Sequence, residues 1–204
     1  SSYSYALYID EISMRVLDTW DIYENWNTRS NGATINGSIL PNKGTWSRYC
    51  SYTSASNGGA TSWSTSYGYG STITAMIGPY STSTTCTSYL AYNFPSATPR
   101  ASNIQFYWYA YYVIAYFECY NASGTRTEQY QLTTSNSGGY QGWGDFRVPT
   151  GTTQIRWYVG SMYSSSYSYA LYVDEIMFSL PLVSVDNFSG ATTGFEKPNA
   201  GIVP

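Results

Sequence analysis

The sequence predicts an all-β protein with the architecture of a jelly-roll-like antiparallel β-sandwich. Apolar and polar residues alternate with a period of two along most of the chain, and no segment shows a convincing helical period. Segments rich in aromatic residues and threonine recur at intervals of about ten residues, with turn signals between them. Many short strands at this spacing are typical of sandwiches and jelly rolls.

Strands are predicted wherever such a segment is bounded by glycine, proline, asparagine or serine. They lie near residues 18–26, 45–53, 60–67, 71–78, 86–93, 103–120, 126–134, 143–148, 152–159 and 167–180. Residues 106–120 are the longest apolar run in the chain. This run is rich in tyrosine and shorter than the roughly 20 residues that cross a bilayer. We therefore predict one long buried strand there and no membrane span.

One segment of the chain occurs twice. Residues 1–12 read SSYSYALYIDEI, and residues 165–176 repeat them with a single change, from Ile9 to Val173. The chain therefore reads as a window cut from a tandem array. We predict that residues 1–12 are the closing strand of a preceding repeat or a donor strand and that residues 13–176 are one β-sandwich (jelly-roll) domain. Residues 177–204 would open the next repeat or link subunits.

The composition excludes several functions. The chain has no histidine, which removes Ser-His-Asp and Cys-His nucleophiles and HExxH zinc sites. A net charge of -3 offers no basic stripe for phosphates, so we expect no nucleic-acid partner. Charged residues make up only 10% of the chain, and sequons begin at Asn36, Asn121 and Asn187. Together these features indicate an extracellular or cell-surface glycoprotein.

The three cysteines allow one disulfide at most. Cys119 lies inside the most apolar predicted strand, so we favour Cys50 and Cys86 as the pair if a bridge forms. Three buried, reduced cysteines that act as small apolar residues are an equally good interpretation.

The second half of the chain resembles the closing half of carbohydrate-binding-module-type jelly rolls. The resemblance is carried by the long apolar strand, by GWGDFRVPTGTTQIRW at residues 142–157 and by ALYVDEI at residues 170–176. Such domains commonly show a Trp-x-x-Phe strand, a Pro-x-Gly turn and a last strand that ends in an acidic pattern. The resemblance covers residues 103–176 and implies the fold. This sandwich serves in sugar-binding modules, adhesin repeats and archaeal or bacterial surface filaments.

The resemblance also implies a structural calcium ion as a candidate cofactor. In such domains the acid of the closing pattern, here Asp174, often joins an acidic residue near the start of the domain. The early acids here are Asp18, Asp21 and Glu24, and Glu24 is the candidate ligand. Carboxylate oxygens suit a hard cation. The alternative is that these acids are solvated or form an ion pair with Arg15 or Arg156. No other cofactor is predicted.

Paired carboxylates for glycoside hydrolysis are the only catalytic scheme that the composition allows. Glu118, Glu128 and Asp145 are candidates by elimination, but no pattern marks a cleft around them. Repetition of a unit multiplies binding or length and does not improve a catalytic site. We therefore predict that the protein is not an enzyme.

Exposed aromatic rings would provide a sugar-binding surface. Trp63, Tyr67, Tyr69 and Tyr80 lie in or beside Gly/Ser-rich segments, where their rings can stack on sugar faces. The alternative is that these rings belong to the core and to strand surfaces, where tyrosine is favoured.

The duplicated segment gives self-association the strongest support from the sequence. The chain holds two copies of one closing strand but only one complete domain, and an unpaired aromatic strand needs a partner. We predict a structural subunit or repeat of an extracellular filament or cell-surface fibre, assembled head to tail with copies of itself by β-strand complementation. The alternative is a tandem carbohydrate-binding or adhesin module of a secreted protein, with a polysaccharide as its partner.

Overall fold

The computed structural model describes residues 22–38, 44–51, 59–64, 67–70, 73–78, 87–135, 137–162 and 169–180. The first copy of the duplicated segment, residues 1–12, lies outside these residues, and so do residues 181–204. The predicted division of the chain at residues 12 and 176 therefore stays a prediction.

Strands make up all the regular structure in the described residues, and the all-β prediction is confirmed. The strands are β1 (Ile22–Glu24), β2 (Gly37–Ser38), β3 (Thr45–Cys50), β4 (Gly59–Ser64), β5 (Ile73–Gly78), β6 (Ser88–Asn93), β7 (Ser102–Tyr111), β8 (Val113–Asn121), β9 (Arg126–Gln131), β10 (Gly139–Val148), β11 (Thr152–Met162) and β12 (Ala170–Phe178). They form two antiparallel sheets that pack as a sandwich.

The first sheet has the order β10-β7-β12-β5-β4, and β1 also pairs with β12. Every pairing in it is antiparallel. Residues 170–176, which belong to the second copy of the duplicated segment, therefore form a strand with neighbours along both of its edges.

The second sheet has the order β2-β3-β6-β11-β8-β9. From β5 onward the chain passes repeatedly between the sheets, with β5, β7, β10 and β12 in the first and β6, β8, β9 and β11 in the second. Antiparallel strands that alternate between two sheets in this way are jelly-roll-like, as predicted.

The core lies between the two sheets. It contains Phe106 of the first sheet and Phe117 and Trp157 of the second, all fully buried, with ring centroids 5.3–5.5 Å apart. Successive side chains of a strand point to opposite faces, so each strand gives one row to this core and one row to an outer surface. The outer rows are the surfaces that a ligand can reach.

The predicted single strand over residues 103–120 is wrong. The chain leaves the first sheet after β7 and enters the second with β8. Between them Tyr112 has a φ of 54°, a left-handed conformation that turns the chain from one sheet to the other. The corner is hard to detect because residues 106–120 contain no glycine, proline or asparagine. Its trace is a change of inward positions from even numbers, such as Phe106, to odd numbers, such as Phe117.

The closing strand β12 is buried on both of its faces. Leu171 and Val173 belong to the main core. Ala170 and Tyr172 belong to a second buried cluster with Met76 of β5. Because alternate residues point to opposite faces, this second cluster lies on the outer side of the sheet. Further side chains must therefore cover that side.

Candidate functional site

An aromatic surface covers the outer side of the first sheet. We call its seven residues the aromatic face: Tyr67, Tyr69, Tyr107, Tyr109, Tyr111, Trp143 and Tyr172. Three of them occupy alternate positions of β7, and two come from residues 67–70 between β4 and β5. The intervening residues of β7 point into the core, so the alternation of the strand itself creates the surface.

Two glycines direct Trp143 outward. Gly142 and Gly144 occupy the inward positions on either side of it and lie opposite aromatic residues of β7. A Cβ atom at Gly144 would collide with the ring of Phe146, so that ring fills the space a side chain would need. Because Gly142 and Gly144 have no side chains, the rings of Trp108 and Phe146 fill the core beside them. The indole of Trp143 lies on the outer surface of β10.

Three rings form the exposed end of the aromatic face. Trp143 is 49% exposed and Tyr69 is 52% exposed. The centroid of the Tyr69 ring lies 4.9 Å from that of Trp143 and 5.4 Å from that of Tyr107, and the last two are 5.9 Å apart. Tilted and edge-to-face contacts of this length hold rings in place while leaving part of their faces open.

Four tyrosines form the packed end of the aromatic face. Tyr67 stacks on Tyr109 with centroids 4.5 Å apart and an interplanar angle of 4°, and it contacts Tyr111 and Tyr172 at 5.8 and 4.9 Å. Burial raises the pKa of Tyr172, and the neighbouring Tyr67 phenol adds to the effect. This end packs on the sheet, whereas Trp143 and Tyr69 at the other end are exposed to solvent.

Polar side chains border the exposed rings on β7 and β10. The hydroxyl of Tyr107 donates a hydrogen bond to Oε1 of Gln141 at 2.9 Å. The carboxylate of Asp145 accepts hydrogen bonds from the side-chain amides of Asn103 at 2.8 Å and Gln105 at 3.4 Å. Apolar ring faces next to a few fixed donors and acceptors are the usual composition of a ligand site.

A buried carboxylate anchors the segment that carries Tyr69. Asp174 is fully buried and accepts hydrogen bonds from the backbone amides of Tyr69 at 3.2 Å and Glu175 at 2.9 Å. Desolvation, followed by the charge of Asp174, raises the pKa of Tyr107. Asp174 therefore lies within β12 beside the aromatic face, and the interpretation of it as a solvated acid is wrong.

Both predicted calcium ligands have protein partners. Glu24 accepts a hydrogen bond from the backbone amide of Trp26 at 2.9 Å, and Arg29 neutralises it in an ion pair of 3.3 Å. Within the part of the chain that the structure describes, no three acidic or cysteine side chains are grouped as metal ligands. Calcium at Glu24 and Asp174 stays a prediction. A chelator that leaves the melting temperature unchanged would contradict it.

The structure brings two of the predicted sugar-stacking residues together. Tyr67 and Tyr69 both lie on the aromatic face, with Tyr69 at its exposed end. Trp63 lies in β4, at the other end of the sheet order from β10, and Tyr80 lies outside the described residues. The sequence predicts Trp143 only as part of a fold motif. The signal that identifies it is the pair of glycines beside it, which alternation places on the opposite face.

The three candidate catalytic carboxylates each have their own partners. Glu118 is buried in the second sheet and pairs with Arg126 at 2.9 Å, and Glu128 pairs with Arg147 at 3.5 Å. Asp145 is bonded to amides at the border of the aromatic face. Paired or amide-bonded carboxylates of this kind have structural explanations for their positions.

The described cysteines occupy different environments. Cys119 is buried in the core, where its thiol contacts the backbone oxygen of Arg147 and burial raises its pKa to about 12. Cys50 ends β3, and Cys86 lies outside the described residues. The disulfide between Cys50 and Cys86 therefore stays a prediction.

Two of the three sequons fall within the described residues. Asn36 is exposed just before β2. Asn121 begins the turn between β8 and β9, where its Oδ1 accepts hydrogen bonds from Ser123 and from the backbone of Thr125. Asn187 lies outside the described residues. Glycosylation at these sites stays a prediction.

Among solved structures, adhesin and carbohydrate-binding domains are similar to this chain. The chain is similar to the K1 cleaved adhesin domain of Lys-gingipain from Porphyromonas gingivalis, with a TM-score of 0.54 and 13% identity over 79% of this chain and 99% of that domain. The K3 cleaved adhesin domain of the same protein gives 0.48 and 12% identity over 77% and 95%. The CBM22-1 xylan-binding domain from Paenibacillus barcinonensis gives 0.40 and 12% identity over 76% and 90%.

The similarity to the K1 domain confirms the β-sandwich fold that the sequence resemblance implies. At 13% identity, the similarity to the gingipain domain is one of architecture. No protein-family model and no curated protein matches the chain. The likeness to archaeal filaments stays a prediction. In the described ranges, no helix has the length and apolar character needed to cross a membrane.

Proposed function

We propose that this chain is a non-catalytic, extracellular carbohydrate-binding module of the adhesin type, and that the exposed end of the aromatic face is its binding site. The observation that carries the proposal is the half-exposed indole of Trp143, held by Tyr69 and Tyr107 on the outer side of a sheet. The sandwich shared with an adhesin domain supports the same assignment.

An exposed indole and a sugar ring have complementary surfaces. The C–H groups on the face of a pyranose stack on an aromatic ring, while the hydroxyls around its rim form hydrogen bonds. At this site the bordering groups are the amide of Gln141, the carboxylate of Asp145 and the phenol of Tyr107. The site therefore combines one stacking surface with several donors and acceptors.

The site is elongated along β10. Gln141, Trp143 and Asp145 occupy alternate outward positions of this strand, so the side chains span about 13 Å at 3.3 Å per residue. The carboxylate of Asp145 is bonded to amides, and the other bordering groups are neutral. These features favour a neutral polysaccharide chain lying along the strand.

The test is a binding series with neutral polysaccharides such as xylan, galactan and β-glucan. We expect one of them to bind the wild-type chain in affinity electrophoresis and calorimetry. Trp143→Ala removes the stacking surface and should weaken this binding by about tenfold or more, equivalent to about 1.4 kcal/mol. Circular dichroism should remain that of the wild type, because the indole contributes little to the core.

Tyr140→Ala is the matched control. Tyr140 belongs to the same strand and is 41% exposed. Alternation places its side chain on the opposite face of the strand from Trp143. We expect its loss to leave the affinity unchanged. Equal weakening by both substitutions, or no weakening by Trp143→Ala, would contradict the proposed site.

A second candidate function is a subunit of an extracellular fibre joined by strand complementation. It is favoured by the duplicated segment, whose second copy supplies β12, a strand paired along both edges. Residues 1–12, which differ from residues 165–176 only at Ile9, are suited to the same position in a neighbouring unit.

Electron microscopy of the native material tests the second candidate. Regular fibres that disappear when residues 1–12 are deleted would support it. Monodisperse particles, or fibres unchanged by the deletion, would contradict it.

A further inference from the structure

The outer side of the second sheet presents a different surface, centred on Arg156 of β11. Arg156 lies opposite Glu118 of β8 in the strand register. Tyrosine rings from neighbouring strands contact its guanidinium group. We call Arg156, Tyr49, Tyr89 and Tyr120 the arginine face.

The Arg156 side chain is held in one position. Its guanidinium carbon lies 3.9 Å from the ring centroid of Tyr120 and 4.5 Å from that of Tyr89. Its Nε donates a hydrogen bond to Oε1 of Gln154, and the amide of Gln154 donates to Asn93. A side chain fixed by two rings and an amide loses little conformational entropy when it binds a ligand.

The buried carboxylate of Glu118 does not neutralise Arg156. It accepts hydrogen bonds from the hydroxyl of Tyr120 at 2.7 Å, from Arg126 at 2.9 Å and from Gln129 at 2.8 Å. Among the described residues, Arg156 forms no ion pair. A fixed guanidinium whose charge is not matched by a carboxylate is suited to bind an anion.

An aromatic surface continues beside this cation. Tyr89 stacks with Tyr49 at a centroid distance of 5.2 Å and an angle of 20°, and Tyr49 is 47% exposed. A ligand that fits both features presents a carboxylate next to a ring with an apolar face, and a uronic acid has this structure. We propose that the arginine face is a second binding site, for a polyuronate, with a carboxylate on Arg156 and a sugar ring on Tyr49.

Calorimetry with oligogalacturonate tests this proposal, with its methyl ester as the matched neutral ligand. We expect the wild type to bind the acid and not the ester. Arg156→Gln should weaken the binding by about tenfold or more. Arg156→Lys keeps the charge but loses the planar donor geometry, so it should also weaken the binding, by about threefold or more. Trp143→Ala should leave it unchanged, which separates this site from the neutral-glycan site proposed above.

Arg147→Gln is the control for charge alone. Arg147 is an exposed arginine paired with Glu128, and its removal changes the net charge as much as the loss of Arg156. We expect unchanged affinity for oligogalacturonate. Equal weakening by Arg147→Gln would show non-specific attraction, and equal binding of the methyl ester would show that the carboxylate is not recognised. Either result overturns the proposal.

Tyr49→Ala keeps the proposal testable if the Arg156 variants unfold. Because Tyr49 is half exposed, its loss should preserve the native circular dichroism spectrum and weaken oligogalacturonate binding by about fivefold. Unchanged affinity in Tyr49→Ala, or in a folded Arg156→Gln variant, would overturn the assignment. No binding of oligogalacturonate by the wild type would do the same.

Discussion

The two outer surfaces of the sandwich use the same alternation of side chains to different ends. On the aromatic face, tyrosine rings pack on one another, and one end leaves the indole of Trp143 half exposed. Beside the arginine face, hydrogen bonds surround the buried Glu118, and no carboxylate among the described residues forms an ion pair with Arg156. The first surface is suited to stacking and the second to an anion.

The difference shows how a chain with few charges can carry two chemically different surfaces. Side chains at outward positions of a strand do not pack in the core, so each sheet can place rings or polar groups there without changing the fold. Whether the two surfaces act independently depends on the core between them.

The shared core should be the most sensitive point. Phe117→Ala removes a fully buried ring that contacts Phe106, Phe146 and Trp157, so it should destabilise the protein by about 3–5 kcal/mol. Urea unfolding followed by circular dichroism measures this loss. Ile114→Ala, at a partly exposed outward position of the same strand, should cost clearly less. Equal costs for both would show that the two sheets do not share a core at Phe117.

The stability of the protein should depend on neutralisation of the buried Glu118, which lies beside the arginine face. Arg126→Ala leaves the Glu118 carboxylate buried with only two neutral donors. Because the Arg126 side chain is 48% exposed, we expect a loss below that of a fully buried pair, about 1–3 kcal/mol. The double variant Arg126→Ala/Glu118→Gln should recover part of it. No recovery in urea unfolding would contradict the account of this pair.

The phenol of Tyr120, which donates a hydrogen bond to Glu118, should ionise at a higher pH than an ordinary tyrosine. Desolvation, together with the hydrogen bond to Glu118, raises the pKa of Tyr120 to about 12. A folded-state pKa above the usual value of about 10 means that its contribution to stability is complete below pH 10. That contribution is lost as the pH rises from about 10 to about 12.

Absorbance at 295 nm measures this titration. Tyr120→Phe should remove one late-titrating phenol and flatten the loss of melting temperature above pH 10. Ionisation of all tyrosines near pH 10 in a chain that is still folded would contradict the prediction.

The smallest effect on stability is expected at the border of the aromatic face. Asp145→Asn keeps the shape of an exposed side chain whose partners are amides, so stability should change by no more than about 0.5 kcal/mol. Affinity for a neutral polysaccharide should change by less than it does in Trp143→Ala. A stability loss as large as that of Arg126→Ala would show that the two surfaces are not organised differently.

Much of this fold could be predicted from the sequence because alternation is a local signal. It gave the class, the sandwich and most of the strands. It does not predict the corner at Tyr112, because this tyrosine adopts a left-handed conformation and no turn-forming residue type lies beside it. The sheet order also depends on contacts between distant residues, such as those of β12 with β5 and β7, and no local pattern encodes them.

The candidate site could be predicted only in part. Tyr67 and Tyr69 were identifiable because they follow a Gly/Ser-rich segment. The sequence predicts Trp143 only as part of a fold motif, although alternation places its ring on the face opposite to its flanking glycines. The roles of Asp174 and Arg156 depend on which partners the sheets bring to them, so the sequence offered only the residue types.

A neutral glycan that stacks on Trp143 should shift the NMR signal of the indole N–H. The signal is assigned by its loss in Trp143→Phe and followed while oligosaccharides of the bound polysaccharide are added. We predict that it shifts in proportion to saturation, while the signals of the buried Trp46 and Trp157 stay in place. A glycan that binds in calorimetry and leaves the Trp143 signal unmoved would contradict the claim.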